Sequence, residues 1–157
     1  MKVVLQHDEC ECGAVCLCMI AGHYGRKMPI STCRELTKTD QVGTNLYGIV
    51  DSAEKIGLQA AGLSGSPEEL LEGIRAGEVS FPFVAHIISS NEMLHFVIVT
   101  AYHHGKFRLN DPAVGKRVLT EAKFFAQWTG NVAVFQKGAN FEGGNFTKNR
   151  FLKFFHC

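Results

Sequence analysis

The chain has 157 residues, of which 46% are hydrophobic and 20% charged, with a formal net charge of +1 at pH 7. That length and apolar content suffice for one domain with a sizeable core. The near-neutral balance excludes a strong electrostatic case for nucleic acid or an anionic membrane surface, and no run approaches the ~18 uninterrupted apolar residues of a bilayer span.

The opening MKVVLQHDEC has no long apolar stretch and turns acidic at once, unlike a secretory signal. Val3 to Leu5 reads as a short extended lead-in. From about Gly13 the run G-A-V-C-L-C-M-I has no breaker and predicts a buried helix ending near Gly22 to Gly25. Asp8, Glu9 and Glu11 precede it, as carboxylates often precede a helix start. Pro29-Ile30-Ser31 opens a second helix with Ser31 as its expected cap. Thr39 to Asn45 is polar and loop-like. Leu46, Ile49, Val50, Ala53 and Ile56 keep a helical rhythm that stops at Gly57. Leu58 to Leu63 suits a strand. Ser66-Pro67-Glu68-Glu69 is a helix start with Ser as cap, Pro at the first position and acids in the first turn; that helix ends at Gly77.

From Phe81 the pattern changes. Phe81 to Ser89, His95 to Tyr102, Lys106 to Asn110 and Val114 to Leu119 are apolar and β-branched runs separated by polar turns. Thr120 to Trp128 reads as a helix and Val132 to Gln136 as a closing strand. Helices first and antiparallel strands after them predict an α+β domain over residues 1–137. Residues 138–157 read as a linker and tail by composition, and Gly143-Gly144 as linker glycines.

Six cysteines need an account. Without a secretion signal a disulfide framework is not expected. Cys10, Cys12, Cys16 and Cys18 crowd together as C-x-C-x3-C-x-C, a spacing that does not match the paired C-x2-C ligands of zinc sites. Cys16 and Cys18 are read as small core hydrophobes. Cys12 is different because it falls at the helix N-terminus. Free N–H groups and the positive end of the dipole there favour a thiolate, the nucleophilic form of cysteine. Gln6, six residues upstream, can fold its amide back beside the sulfur as a donor to the oxyanion of a tetrahedral intermediate.

A nucleophilic cysteine needs a base. Among seven histidines, His103 and His104 fall in a turn and His86 in an apolar strand. His95 starts one strand and Asp111 ends the next. If His103 to Lys106 is the hairpin turn, Asp111 falls opposite Val97 or Ile98. The first register places it diagonal to His95 on the same face. Asp111 would then fix the imidazole, and His95 would take the Cys12 proton.

The order of Gln6 followed by Cys12 opening a helix resembles papain-like cysteine proteases. The fuller string Q-x5-C-G-A-x-C-L-x-M-I resembles the peptidase domain of bacterial ABC transporters that cut double-glycine leader peptides from bacteriocins and lantibiotics. His95-Phe96-Val97, Asp111-Pro112, Gly115 and Trp128-Thr129-Gly130 continue the likeness over roughly residues 1–137. Glu11 departs from it, since the family often has Asp before the nucleophile. The resemblance implies a papain-like α+β fold with N-terminal helices packed on an antiparallel sheet. It implies cleavage after Gly-Gly, Gly-Ala or Gly-Ser by Cys12, His95, Asp111 and Gln6, with no metal or other cofactor. The partners implied are a precursor peptide with an amphipathic helical leader and the transmembrane and nucleotide-binding domains of a parent transporter, at the cytoplasmic face of a bacterial membrane. ATP would bind outside these residues. The aromatic, basic ending would then lead toward the membrane domain. Tyr24 and Met28, apolar and near the first two helices, are candidates for leader contact. A catalytically idle binding module and a papain-like amidase or transferase are the alternative readings.

Overall fold

The computed structural model describes residues 1–7, 11–37, 45–137 and the backbone of 153–154. The loop expected at Thr39 to Asn45 lies outside these residues except for Asn45. The linker expected at 138–157 lies outside them except for the two-residue strand noted below.

Helix α1 (Cys12–His23) carries apolar residues around its whole circumference, and Cys12 through Ala21 are all buried. A helix without a polar face must be enclosed. Helices α2 (Ile30–Thr37) and α3 (Leu46–Lys55) enclose it on one side, and the sheet on the other. Asn45 caps α3 by accepting from the Gly48 N–H at 2.8 Å, and Gly57, at φ +96, ends it. The expected cap of α2 is wrong. Pro29 provides the first carbonyl, accepting from the Cys33 N–H at 3.2 Å, so the helix starts at Ile30 and Ser31 sits exposed inside its first turn.

After β1 (Leu58–Ser64), helix α4 (Pro67–Arg75) begins with a full capping box. Ser66 Oγ accepts from the Glu69 N–H, and the Glu69 carboxylate accepts from the Ser66 N–H. Strands β2 (Phe83–Ile88), β3 (Leu94–His103), β4 (Lys106–Asp111) and β5 (Gly115–Thr120) form a meander. Helix α5 (Glu121–Gln127) then leads into β6 (Trp128–Lys137), and β7 (Lys153–Phe154) is the last strand among the described residues. The sheet order is β5-β4-β3-β2-β6-β1-β7, with antiparallel pairings throughout.

The expected helix through Trp128 stops one residue earlier. Trp128 is already extended, at φ −71 and ψ 136, because β6 is longer than its apolar run. It continues through Gly130, whose φ of +95 and whose approach to the Gly65 carbonyl (3.2 Å from where a Cβ would stand) disfavour a side chain. The Gly65 N–H donates to the Gly130 carbonyl at 2.9 Å.

Alternation of side chains along the strands splits the core in two. On one face Val84, Phe96, Ile98, Ala133 and Phe135 meet α1, α2 and α3. On the other, Ala85, Ile87, Val97, Val99, Val132 and Val134 meet Leu70 of α4 and Phe124 of α5. The α+β expectation therefore holds, with the first three helices on one side and the two later ones on the other.

The β3–β4 hairpin decides the site. Its turn residues His104 and Gly105 have φ of +50 and +75, as a tight two-residue hairpin requires. Near the turn His103 pairs with Lys106 and Ala101 with Arg108. A bulge at Thr100 then shifts the ladder by one residue, so that Val99 faces Leu109 and Ile98 faces Asn110. Without it Asp111 would fall opposite Ile98, on the wrong face. With it Asp111 falls opposite Val97 and diagonal to His95.

Candidate active site

His95 and Asp111 meet at the end of the sheet where β3 begins and β4 ends. The His95 Nε2 lies 2.7 Å from Asp111 Oδ1. Asp111 is held from two other sides. Its Oδ1 accepts from the Ala113 N–H at 2.8 Å, and its Oδ2 accepts from Arg117 Nη1 at 2.8 Å. Burial pushes the Asp111 carboxyl upward, but the hydrogen bonds from His95, Ala113 and Arg117 outweigh it and hold the group below its ordinary value. Asp111 is therefore an anchored carboxylate.

Burial of His95 favours the neutral ring. Hydrogen bonds with Asp111 and Cys12, and the negative charge available on each, outweigh this and raise the imidazole to about 9. With Nε2 engaged by Asp111, Nδ1 is the nitrogen left for the Cys12 sulfur. Cys12 itself is 8% exposed at the first position of α1. Thiol, imidazole and carboxylate thus form a chain of contacts, in which the ring can accept the thiol proton and keep it as an imidazolium beside a thiolate.

Gln6 lies in the same cleft, of about 230 Å³, with Met93, His95, Asp111, Val114 and Arg117. Its backbone N–H donates to the Pro112 carbonyl at 2.8 Å, which ties the N-terminal stretch to the turn after Asp111. Its side-chain Oε1 is buried and makes no hydrogen bond among the described residues. The amide is therefore not committed to a structural bond through that oxygen.

The structure places the other candidates elsewhere. His86 is a satisfied core residue: its Nδ1 is 3.1 Å from Thr129 Oγ1, its ring packs on Phe96, and burial followed by the charge of His95 lowers its pKa. Cys16 and Cys18 are buried in the helical core. Cys16 is pushed well above its ordinary value, by burial first and then by Cys12, and stays a thiol. Cys18 Sγ lies 2.8 Å from Cys33 Sγ of α2. Tyr24 donates its hydroxyl to the Phe135 carbonyl at 3.1 Å and, like Met28, packs against the helical core. Tyr24 follows the end of α1, about 18 Å along the axis from Cys12, and neither residue lines the cleft.

Sequence reasoning passed over two groups. Arg117 lies two residues beyond Gly115, the partner of Asp111 across β4 and β5, so the period of two would have found it once that pairing was drawn. Glu11 was noted only as one of the carboxylates before the first helix and as a departure from the family pattern. It is a buried carboxylate, 5% exposed, held by Arg34 of α2 at 2.8 Å. That contact depends on how two helices dock and leaves no local signal.

A thiol opening a buried helix, with an imidazole and a carboxylate brought to it by an antiparallel sheet, is the arrangement of the papain-like cysteine peptidases. Within that class the chain belongs to the Peptidase C39 family, whose model matches residues 1–140. It is 37% identical over 136 residues to the lactococcin-G-processing and transport ATP-binding protein LagD of Lactococcus lactis subsp. lactis, a match covering 87% of this chain and 19% of that protein. It is 29% identical over 151 residues to the transport/processing ATP-binding protein ComA of Streptococcus pneumoniae, covering 95% and 20%. The chain thus spans about a fifth of the length of these curated relatives. Among solved structures, it resembles a double glycine motif protease from an AMS/PCAT transporter in complex with the leader peptide. The TM-score is 0.78 at 27% identity, over 87% of this chain and 91% of that one. The peptidase domain of Streptococcus ComA gives 0.78 at 28% identity, over 87% and 98%.

Proposed function

We propose that this peptidase removes the leader from a bacteriocin- or lantibiotic-type precursor by cutting after Gly-Gly, Gly-Ala or Gly-Ser. Cys12 is the nucleophile, His95 the base and then the acid, Asp111 the group that orients the ring, and Gln6 the oxyanion donor. The observation that carries this is the contact chain from Cys12 through His95 to Asp111, beside a cleft that Gln6 lines. The sulfur attacks the scissile carbonyl, and Gln6 stabilises the oxyanion. The His95 imidazolium gives its proton to the leaving amine as the C–N bond breaks, leaving a thioester. Water then gives a proton to His95 and adds to the thioester, freeing the leader carboxylate and the thiol.

A dipeptide offers too little contact for useful affinity, so the leader supplies the rest. The mouth of the cleft supports this reading. Met93, Leu94 and Val114 stand exposed there, next to His95 and Asp111, where an apolar face of a leader helix would enter. Met28 lines a separate groove with Val4, Cys18 and Met19. With Tyr24 it is our candidate for the upstream end of the leader. The relatives' names, transport and processing ATP-binding proteins, support a parent transporter with a nucleotide-binding domain; membrane domains acting with this unit, and its place at the cytoplasmic face, belong to the proposal.

Cleavage of a purified double-glycine precursor tests the proposal. Cys12→Ala should abolish cutting and leave leader binding intact. Replacing the penultimate Gly of the precursor by Val should also abolish cutting while the peptide still competes for the site. Deleting the upstream leader should lower kcat/KM severely. Efficient cutting of the Val precursor, or of short Gly-Gly peptides, would favour a general papain-like hydrolase.

A further inference from the structure

An oxyanion donor is useful only if it stands about 2.7–3.1 Å from the developing charge. A displacement of about 1 Å can cost on the order of 10²-fold in rate. Gln6 belongs to no helix or strand, so its position needs another source. It is fastened on both sides by backbone hydrogen bonds. Its own N–H donates to the Pro112 carbonyl at 2.8 Å, beside the carboxylate that holds His95. The next N–H, that of His7, donates to Glu11 Oε2 at 2.7 Å, beside the nucleophile.

Glu11 behaves unusually for its place. It occupies the N-cap position of α1, where a side-chain oxygen normally accepts from the second or third helical N–H. Here the carboxylate makes no such bond. One oxygen reaches back to the His7 N–H, and the other accepts from Arg34 Nη1 at 2.8 Å. The His7 ring is largely exposed and 3.9 Å away, so the backbone N–H carries the contact. A buried carboxylate adjacent in sequence to the nucleophile would by itself oppose a thiolate, and the guanidinium of Arg34 neutralises it. The carboxylate thus forgoes the cap and gives one oxygen to the stretch that carries Gln6 and the other to Arg34.

We propose that Glu11, fixed and neutralised by Arg34, is the positioning residue for Gln6, setting the oxyanion donor relative to Cys12. This rests on reading Gln6 as that donor. The test compares two reactions of the same sulfur. Acyl transfer generates an oxyanion, whereas alkylation by iodoacetamide displaces iodide at a saturated carbon and generates none. Glu11→Ala should lower kcat for precursor cleavage at least about tenfold with KM little changed. The rate of Cys12 alkylation should not fall, because that reaction forms no oxyanion and removing a nearby carboxylate does not disfavour the thiolate. The double variant Gln6→Ala/Glu11→Ala should be no slower than Gln6→Ala alone, since two groups acting as a unit do not add. Glu11→Gln keeps one acceptor oxygen for the His7 N–H but loses the one that accepts from Arg34, so it should recover part of kcat. His7→Pro removes the same hydrogen bond from the other side, leaving Glu11 and Arg34 untouched. It should reproduce the split between cleavage and alkylation, and it answers the question if Glu11→Ala fails to fold.

Cleavage and alkylation falling together, or losses that multiply in the double variant, would overturn the proposal, because Glu11 would then act on the nucleophile's helix. If Gln6→Ala alone leaves kcat unchanged, the reading of Gln6 fails. If Gln6→Ala lowers kcat and both Glu11→Ala and His7→Pro leave it intact, only the present inference fails.

Discussion

His95 sets the pH behaviour of the site. Its imidazolium is stabilised to about 9, so in the proposed mechanism the proton for the leaving amine is present across the neutral range and lost above it. The alkaline limb of kcat/KM should therefore lie near 9, well above the ordinary histidine value of ~6.5. Asp111→Asn removes the carboxylate that holds the proton, so this limb should move to lower pH while kcat falls. Because the folded-state pKa is raised, the His95–Asp111 pair contributes its full stability below ~6.5 and loses it as pH rises through about 9. Thermal melts of the wild type and Asp111→Asn should accordingly differ most below pH ~6.5 and converge toward pH 9. A gap independent of pH would mean that the pair is not ionic in the fold. Arg117 and the Ala113 N–H share the carboxylate with His95. The meeting of Cys12, His95 and Asp111 was legible because each position follows from a local rule: a helix start, a strand start, a strand end. Arg117 and Glu11 were not, since each is defined by a partner from another element.

The elements show the same division. Ser66-Pro67-Glu68-Glu69 carries its instruction within four residues, and the capping box forms as written. Ser66→Ala should cost about 1 kcal/mol and lower Tm by about 2–4 °C for a domain of this size. Precursor cleavage should not change, because α4 packs on the sheet away from the cleft. A large loss of activity would show that α4 reaches the site. At α2 the local rule misled: Ser31 has the better cap chemistry, but the carbonyl of Pro29 is the one in position. At β6 the apolar run marked only part of the strand; Trp128, which pairs with Ile87 and packs on Phe124 in the second core, begins it four residues earlier. The Thr100 bulge was the least visible feature. The turn and the far end of the hairpin obey different registers, and either reads acceptably in a local window. Packing against both neighbouring strands, rather than any signal at Thr100, selects between them.

At the scale of the molecule, the sheet separates two cores, and α1 lies at the centre of one of them. Leu17, fully buried on α1 beyond the first turn after Cys12, should cost about 2–5 kcal/mol as Leu17→Ala. Urea midpoints with an unchanged m-value measure that loss; a loss under about 1 kcal/mol would mean that the helical core collapses around the gap. The two walls of the cleft are rooted at different depths. Cys12 rides on a helix enclosed by two others and the sheet, whereas His95 and Asp111 ride on β3 and β4, whose outer neighbour β5 lies at the end of the sheet with Val118 exposed. Local opening starts where few groups are buried. Backbone amides of β5 and the outer part of β4 should exchange with solvent first, and those of α1 among the last. If the exchange order holds, any widening of the cleft to admit a peptide or let one go should be a motion of the imidazole side, with the sulfur fixed.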